Sequence, residues 1–330
     1  MKGPDGMTSR GGMTSGSAPR TEPIVITGPT ASGKGAVAFE LARVTGAEIV
    51  SMDSMKVYRE LEVATGKPSA ARRAAVPYHL LDRVDPADDF SVAEYLDLLP
   101  KVFDEIRSRN RKIILVGGTA LYLKGYLYGF RKGPAANWEL RSRLLDEERT
   151  HGTGVLHARL TSLDPLAAKK IHPQDLRRTV RALEVLDVTG RPLSQRAPSQ
   201  DWDNKDHTRP SARLFGLWWE REDLYRRIDE RVERMIHEGL LEEALGLQTR
   251  QPPLSRTAAQ AIGYKQAWER VSQGTTEEEV VQRIQQSTRR LAKSQLTWFR
   301  KLPLTWIPAA QFREPRVLAA EILRLSGSHC

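Results

Sequence analysis

The chain has a single cysteine, Cys330 at its last position, so an internal disulfide framework and every cysteine-rich zinc or iron–sulfur site are excluded. That usage predicts a reducing, cytoplasmic compartment. No uncharged apolar run reaches the roughly 18 residues that a membrane-spanning helix needs, and the mean hydropathy is −0.47. No membrane association is expected. The seven histidines show no H-E-x-x-H or similar ligand spacing, so no protein-built zinc site is predicted. No repeat of fixed period occurs. Residues 1–22 are rich in Gly, Ser, Thr, Met and Pro and lack the apolar stretch of a secretory signal, which predicts a disordered tail.

What is present is a chain of 330 residues, enough for about two domains, with 51 basic against 41 acidic side chains. The resulting net charge of +10 favours polyanionic partners such as nucleic acid, phosphates or anionic lipid. The excess is greatest over residues 130–215, which hold 16 basic and 11 acidic side chains. Residues 283–301 carry Arg283, Arg289, Arg290, Lys293, Arg300 and Lys301 with no acid among them. They form either a solvated helix face or one that meets a polyanion.

Apolar runs at Ile24, Val25 and Ile26, at Ile49 and Val50, and from Ile113 to Val116 read as buried strands. Val37, Leu41 and Val44 recur at helical spacing between the first two. Ser91 and Glu94 form a capping box that opens a helix ending near Asn110. Each strand ends in polar residues, and open parallel sheets place ligands at that edge. From Arg131 the texture becomes helical and basic, with Gly133 and Pro134 resembling a hinge, until a strand candidate at Leu214 to Trp219. Beyond it Leu224, Ile228, Val232 and Met235 predict a long amphipathic helix, and the remainder reads as helical to the end. The expected division is a core from residues 23–130 and 210–330, with residues 131–209 as a mostly helical insertion.

The string Gly28, Pro29, Thr30, Ala31, Ser32, Gly33, Lys34 and Gly35 has G-x4-G-K spacing between a strand and a helix. Backbone amides, the helix amino end and the Lys34 ammonium would together bind phosphate or diphosphate. Gly35 stands where a Ser or Thr hydroxyl normally holds Mg²⁺. Either Thr30 or Ser32 then supplies an oxygen, or diphosphate and water hold the metal, or the metal site is weak. Asp53, beside Ser54 at the end of the second strand, suits a helix N-cap and equally a proton acceptor. Thr119, after two glycines, is a turn residue or a hydrogen-bonding partner for substrate. Between Gln174 and Leu186, Leu176, Val180 and Leu183 share one helix face while Arg177, Arg178 and Arg181 share the other. These guanidiniums pair within the helix, with Glu184 and Asp187, or meet RNA phosphate.

Six ordered motifs carry a resemblance: Gly28 to Lys34; Asp53-Ser54-Met55-Lys56-Val57-Tyr58; Gly117-Gly118-Thr119-Ala120-Leu121-Tyr122; Arg178 with Arg181-Ala182-Leu183-Glu184-Val185; Ala261-Ile262-Gly263-Tyr264-Lys265-Gln266; and Gln295-Leu296-Thr297-Trp298-Phe299-Arg300. Over roughly residues 23–303 the chain resembles the tRNA dimethylallyltransferases, also called isopentenyl-diphosphate:tRNA isopentenyltransferases. The resemblance implies a P-loop-type α/β core, a parallel sheet flanked by helices, with an inserted mostly helical domain that binds tRNA at the anticodon stem-loop. It implies transfer of a dimethylallyl group from dimethylallyl diphosphate to the N6 amine of the adenine 3′ of the anticodon, with Mg²⁺ as cofactor. Lys34 and the loop would hold the diphosphate, Asp53 would be the base, Thr119 would orient the amine, and Arg141 would contact substrate and leaving group. Asp53, Ser54, Met55 and Lys56, together with Arg177, Arg178, Thr179, Val180 and Arg181, match stretches that contact tRNA. The sequence departs from the family pattern at Lys56, where Gln is usual, at Gly66 (Ala), at Gly35 (Thr or Ser) and at Ser294 (Arg). The carboxy-terminal zinc finger of eukaryotic members is absent, so a bacterial-type enzyme, acting as a monomer, is expected. A P-loop nucleoside or nucleotide kinase is the alternative, and a non-catalytic RNA-binding protein a third reading.

Overall fold

The structure is a computed structural model, and it describes residues 22–130, 132–195, 213–312 and 314–327. The expected tail, except Glu22, lies outside the described residues, as do residues 196–209 of the expected insertion and Cys330. The chain divides into two compact units. The first holds residues 22–89, Pro100–Gly118 and the described residues from 213 onward; the second holds Phe90–Leu99 and residues 119–195.

The first unit is organised by a six-stranded sheet in the order β3-β2-β4-β1-β5-β6, with every pairing parallel. Strands β1 (Ile24–Thr27), β2 (Glu48–Ser51) and β4 (Ile113–Gly117) are the three apolar runs of the sequence, and β5 (Arg213–Trp218) begins one residue before its expected start. Every residue of β1 and β2 is buried, which explains why these strands read as continuous runs instead of alternating ones. Strand β3 (Tyr78–His79) has two residues and leaves no periodic signal. Strand β6 (Thr305–Pro308) corrects the expectation that the chain is helical to its end. Pro308 is tolerated there because β6 is an edge strand, paired on one side with β5.

Helix α1 (Lys34–Thr45) crosses from β1 to β2 and buries Val37, Ala38, Leu41 and Ala42. Its neighbour α13 (Pro315–Leu325) sends Leu318, Ala319 and Ile322 into the same core, alongside Ile26, Ile49, Ile114, Phe215 and Ile307 of the strands. A short helix, α2 (Ala70–Ala75), precedes β3. Helix α3 (Val92–Ser108) opens with the expected capping box, Ser91 N donating to Glu94 Oε2 (2.8 Å) and Glu94 N to Ser91 Oγ (3.3 Å). The division between the units falls inside it, before Pro100. After β5 come α9 (Arg221–His237), which buries Leu224, Ile228, Val232 and Met235 as the spacing predicts, α10 (Leu240–Gln248), α11 (Tyr264–Gln273) and α12 (Glu277–Phe299).

The second unit contains α4 (Ala120–Tyr128), α5 (Trp138–His151), α6 (Val155–Leu163), α7 (Pro165–Lys170) and α8 (Leu176–Thr189). Leu140, Leu144, Leu156, Leu160, Val180 and Leu183 form its core. No helix among the described residues is long and apolar enough to cross a membrane.

Where β2 and β4 end, the backbones touch: Met52 N donates to Val116 O (2.8 Å), and a Cβ built on Gly117 would lie 1.8 Å from Met52 O. Only glycine fits against a carbonyl at that range. Gly117→Ala is expected to force the two strand ends apart and cost about 3 kcal/mol of stability, which a urea denaturation midpoint will register; an unchanged midpoint would contradict the close approach.

Candidate active site

Parallel strands deliver their following residues to one edge of the sheet. The residue after β1 is Gly28, and a Cβ there would meet Leu217 O at 2.7 Å, so the loop can leave the strand only with glycine in this place. Gly33 adopts a left-handed conformation (φ +87°) and starts α1, which has no side-chain cap and no acid in its first turn. The positive end of this helix is therefore uncompensated by the chain. Lys34 Nζ donates back to Pro29 O (3.1 Å), closing the loop around the position an anion would take.

The loop is fixed from outside by three side chains distant in sequence. Gln295 of α12 accepts from Thr30 N and donates to Gly118 O, both at 2.8 Å, and so ties the loop to the chain leaving β4. Arg227 of α9 donates to Ala31 O (2.9 Å), and Trp219 Nε1 donates to Ser32 O (3.1 Å); the guanidinium lies 4.1 Å from the Trp219 ring centroid. Outward carbonyls are thus satisfied by the scaffold.

The residues after β2 bring in a carboxylate. Asp53 Oδ1 accepts from Met55 N (2.9 Å) and Lys56 N (3.3 Å), so one oxygen caps a turn; no helix follows, which corrects the helix N-cap reading, and Oδ2 is not used by that turn. The same side chain is the principal opposite charge acting on Lys34, Lys56 and Arg231. Loss of hydration pushes the Lys34 ammonium down to about 7 and that of Lys56 to about 8, and Asp53 offsets this only in part. Burial lowers Arg231 of α9 as well. Three poorly hydrated cations around one carboxylate leave the site short of negative charge. Arg231 was not anticipated, because its signal is a single arginine on a helix full of them.

A second loop supports this cluster. Lys56 Nζ donates to Gly66 O (2.7 Å), and Arg231 Nη2 to Thr65 O (3.4 Å). The loop itself is shaped by Glu243 of α10, whose carboxylate accepts from the amides of Glu62, Val63 and Ala64 (2.9 to 3.1 Å) and from the buried Tyr264 hydroxyl (2.8 Å).

Within the second unit, α8 has the two faces read from its sequence: Val180 and Leu183 are buried, and Arg177 and Arg178 are exposed. Thr179 is buried beside Val180. Arg178 pairs with the N-cap Asp175 (3.1 Å), whereas Arg181 folds back onto Glu184 and Pro134 O. The fully buried Glu184 also holds Arg141 through Nε and Nη2, both at 2.9 Å, and accepts from Asn137 N (2.7 Å). Burial alone would raise the Glu184 carboxyl, but these hydrogen bonds outweigh it and hold the group below the usual carboxylate range. Arg141 lies 4.6 Å from the Trp138 ring centroid. Thr119, the N-cap of α4, accepts the amides of Tyr122 (3.0 Å) and Leu123 (3.2 Å) on its carbonyl.

A family model described as IPP transferase matches residues 56–302. The chain belongs to the IPP transferase family. Among the relatives of this transferase chain is the tRNA dimethylallyltransferase of Geobacter sulfurreducens, 42% identical over 289 residues that cover 87% of this chain and 92% of that protein. The crystal structure of the tRNA isopentenylpyrophosphate transferase from Bacillus halodurans is similar with a TM-score of 0.63 and 35% identity, covering 92% of this chain and 98% of that one. A eukaryotic dimethylallyltransferase described as acting on tRNA is similar with a TM-score of 0.71 and 26% identity, covering 93% and 80%. None of these three is a kinase.

In this IPP transferase two departures from the family pattern touch: Lys56 bonds the carbonyl of Gly66, which has φ +61° and sits where a Cβ would lie 2.6 Å from Arg231 Nη2. Gly35 is exposed, and a Cβ there would meet nothing within 4 Å. Ser32 Oγ, by contrast, is buried without a hydrogen-bond partner. No group of three or more His, Cys, Asp or Glu among the described residues could hold a metal. The donors fit Mg²⁺ in the manner of phosphate-transfer sites, where substrate oxygens and one or two protein oxygens suffice.

Glu184→Gln leaves two guanidiniums around a neutral amide and is expected to cost about 3 kcal/mol. The carboxyl is depressed in the folded state, so its contribution is complete above the unfolded glutamate range and is lost as pH falls through the folded value. Urea denaturation of both proteins should show a gap at pH 7 that narrows toward pH 3. A gap that is absent, or that widens in acid, would contradict this role.

Proposed function

We propose that the chain transfers a dimethylallyl group from dimethylallyl diphosphate to the exocyclic N6 amine of the adenine 3′ of the anticodon in tRNA. One observation carries the reading: Lys34, Lys56 and Arg231, all half-buried and poorly hydrated, have Asp53 as their main opposite charge beside a helix amino end with no acid to meet it. A diphosphate supplies the missing negative charge. The names of the relatives support the acceptor, and the net charge of +10 suits a polyanion.

On this reading the loop of residues 28–35 holds the diphosphate through the amides that neither Gln295 nor Pro29 O engages, together with Lys34 and Arg231. As its bond to the allylic carbon breaks, the electron pair stays on the leaving oxygen, and these donors meet the growing charge without having to reorganise. The N6 lone pair forms the new carbon–nitrogen bond, and the N6 proton passes to Oδ2 of Asp53. Oδ1 stays engaged with the Met55 and Lys56 amides, which fixes the carboxylate's orientation. The target adenine must leave its stack to be reached. Thr119 orients the amine. Arg141, aligned by Glu184, keeps Nη1 outside that pair for the diphosphate. Asp53, Ser54, Met55 and Lys56 form one RNA-contacting stretch, and Arg177, Arg178, Thr179, Val180 and Arg181 the other, with Arg177 and Arg178 reaching phosphate. A Mg²⁺ would take its oxygens from the diphosphate and the Ser32 or Thr30 hydroxyl, and would neutralise part of the leaving group's charge. We infer a monomer that binds one tRNA in the cytoplasm.

Incubation of the purified protein with unmodified tRNA and labelled dimethylallyl diphosphate should yield N6-prenylated adenosine on nucleoside analysis. ATP-dependent phosphorylation of a nucleoside without prenylation would establish the kinase instead.

The lowered Lys34 value gives a pH signature. The ammonium is present below about 7 and is lost above it, so diphosphate affinity should weaken as pH rises. KM for dimethylallyl diphosphate is expected to climb between pH 7 and 9, by about tenfold per unit at the upper end, and the climb should be much reduced in Lys34→Met. A pH-independent KM in the wild type would contradict the assignment of Lys34 to the diphosphate.

A further inference from the structure

Two side chains grip the phosphate loop from behind, at neighbouring carbonyls. Trp219, the residue after β5, donates Nε1–H to Ser32 O (3.1 Å), and Arg227 of α9 donates Nε–H to Ala31 O (2.9 Å). The Arg227 guanidinium stacks over the indole, 4.1 Å from the ring centroid, so each side chain restrains the other. Both are half-buried, and loss of hydration lowers Arg227 from the ordinary arginine range. A poorly hydrated cation is thus held by a backbone oxygen and an aromatic face.

These bonds fix the direction of two peptide planes. A trans peptide points its C=O and its N–H to opposite sides. The plane that carries Ala31 O also carries Ser32 N–H, and the plane that carries Ser32 O also carries Gly33 N–H. With Ala31 O drawn outward, Ser32 N–H turns back into the loop and meets Pro29 O (3.2 Å). With Ser32 O drawn outward by Trp219, Gly33 N–H is aimed to the inner side, at the amino end of α1. Gln295 takes Thr30 N and Pro29 O takes Ser32 N, but among the described residues Gly33 N–H has no partner. The backbone conformation also needs this support. Ala31 has φ +62° and Gly33 φ +87°. Left-handed backbone is free of strain for glycine and not for alanine, so a restraint must hold Ala31 there, and Arg227 is bonded to that residue's own carbonyl. Left-handed residues at such spacing curl successive N–H groups into a concavity that takes anionic oxygen.

We propose that Trp219 and Arg227 are positioning residues for the diphosphate: as a stacked pair outside the loop they hold its anion-binding shape and aim Gly33 N–H at the ligand without touching it. This deepens the prenyl-transfer reading above and rests on its diphosphate. Trp219 contributes through its N–H and Arg227 through its planar guanidinium, not through net charge.

The test separates geometry from charge. Trp219→Phe keeps an aromatic face under Arg227 but has no donor for Ser32 O. Arg227→Lys keeps the positive charge but loses the Nε donor and the planar stack. The wild type, both variants and the double variant are titrated with inorganic pyrophosphate in the presence of Mg²⁺, with ligand-free thermal midpoints and KM for tRNA measured alongside. Trp219→Phe should raise Kd for pyrophosphate about three- to tenfold and Arg227→Lys about tenfold. The double variant should fall short of the product of the two, because the residues act as one stack, and KM for tRNA should stay as in the wild type. Wild-type affinity in Arg227→Lys would reduce the pair to charge and overturn the proposal. So would a loss confined to Arg227→Lys with Trp219→Phe unchanged, the mark of a guanidinium that touches the ligand directly. Lowered midpoints with pyrophosphate affinity unchanged would leave the pair a purely structural role and equally overturn it. If the wild type binds no pyrophosphate, it is the diphosphate reading itself that fails, and the proposal falls with it.

Discussion

The rest of the first unit depends on an electrostatic shortage. Lys34, Lys56 and Arg231 are drawn together with poor access to water, and Asp53 is the main carboxylate that compensates them. Desolvated cations are costly unless paired, and a scaffold that keeps them unbalanced must hold them by other bonds. It does so with backbone carbonyls: Pro29 O receives Lys34, Gly66 O receives Lys56, and Thr65 O receives Arg231. The cations are thereby held in place by the scaffold's own carbonyls.

The sheet explains how these groups meet. Strand β1 is flanked by β4 and β5, and β4 in turn by β2, so the phosphate loop, Gly118 and Asp53 follow three adjacent strands. Helices α9, α10 and α12 then brace the edge from outside through Arg227, Glu243 and Gln295. Each of these side chains bonds the backbone of a loop that carries site groups. The same helices present their other faces to solvent, and on α12 that face is basic over its last three turns.

Much of the fold was legible because the buried parallel strands are unbroken apolar runs ended by glycine or polar residues, and because α9 repeats its core residues every three or four positions. Strand β3 was not, since two residues hold no period, and β6 was hidden because only Ile307 of its four residues is buried and a proline closes it. For the site, the loop string named Lys34, and strand-end logic named Asp53. Arg231, Gln295 and Glu243 act across separations of more than a hundred residues on their loops, a relation no local pattern encodes. The arginines of α8 illustrate the limit of face arguments: Arg181 shares a face with Arg177 yet is committed to Glu184, because a buried carboxylate must recruit whatever cation is in reach.

The account turns on Asp53 acting at the reacting atoms and not merely as a cap. The most direct measurement is the single-turnover rate of prenyl transfer by Asp53→Asn at saturating tRNA and dimethylallyl diphosphate, with both dissociation constants determined alongside. Asn keeps an oxygen for the Met55 and Lys56 amides but cannot take the proton. The account predicts a rate lower by about 10² to 10⁴-fold with tRNA affinity nearly unchanged. A rate close to that of the wild type, or a loss found entirely in tRNA binding, would contradict it.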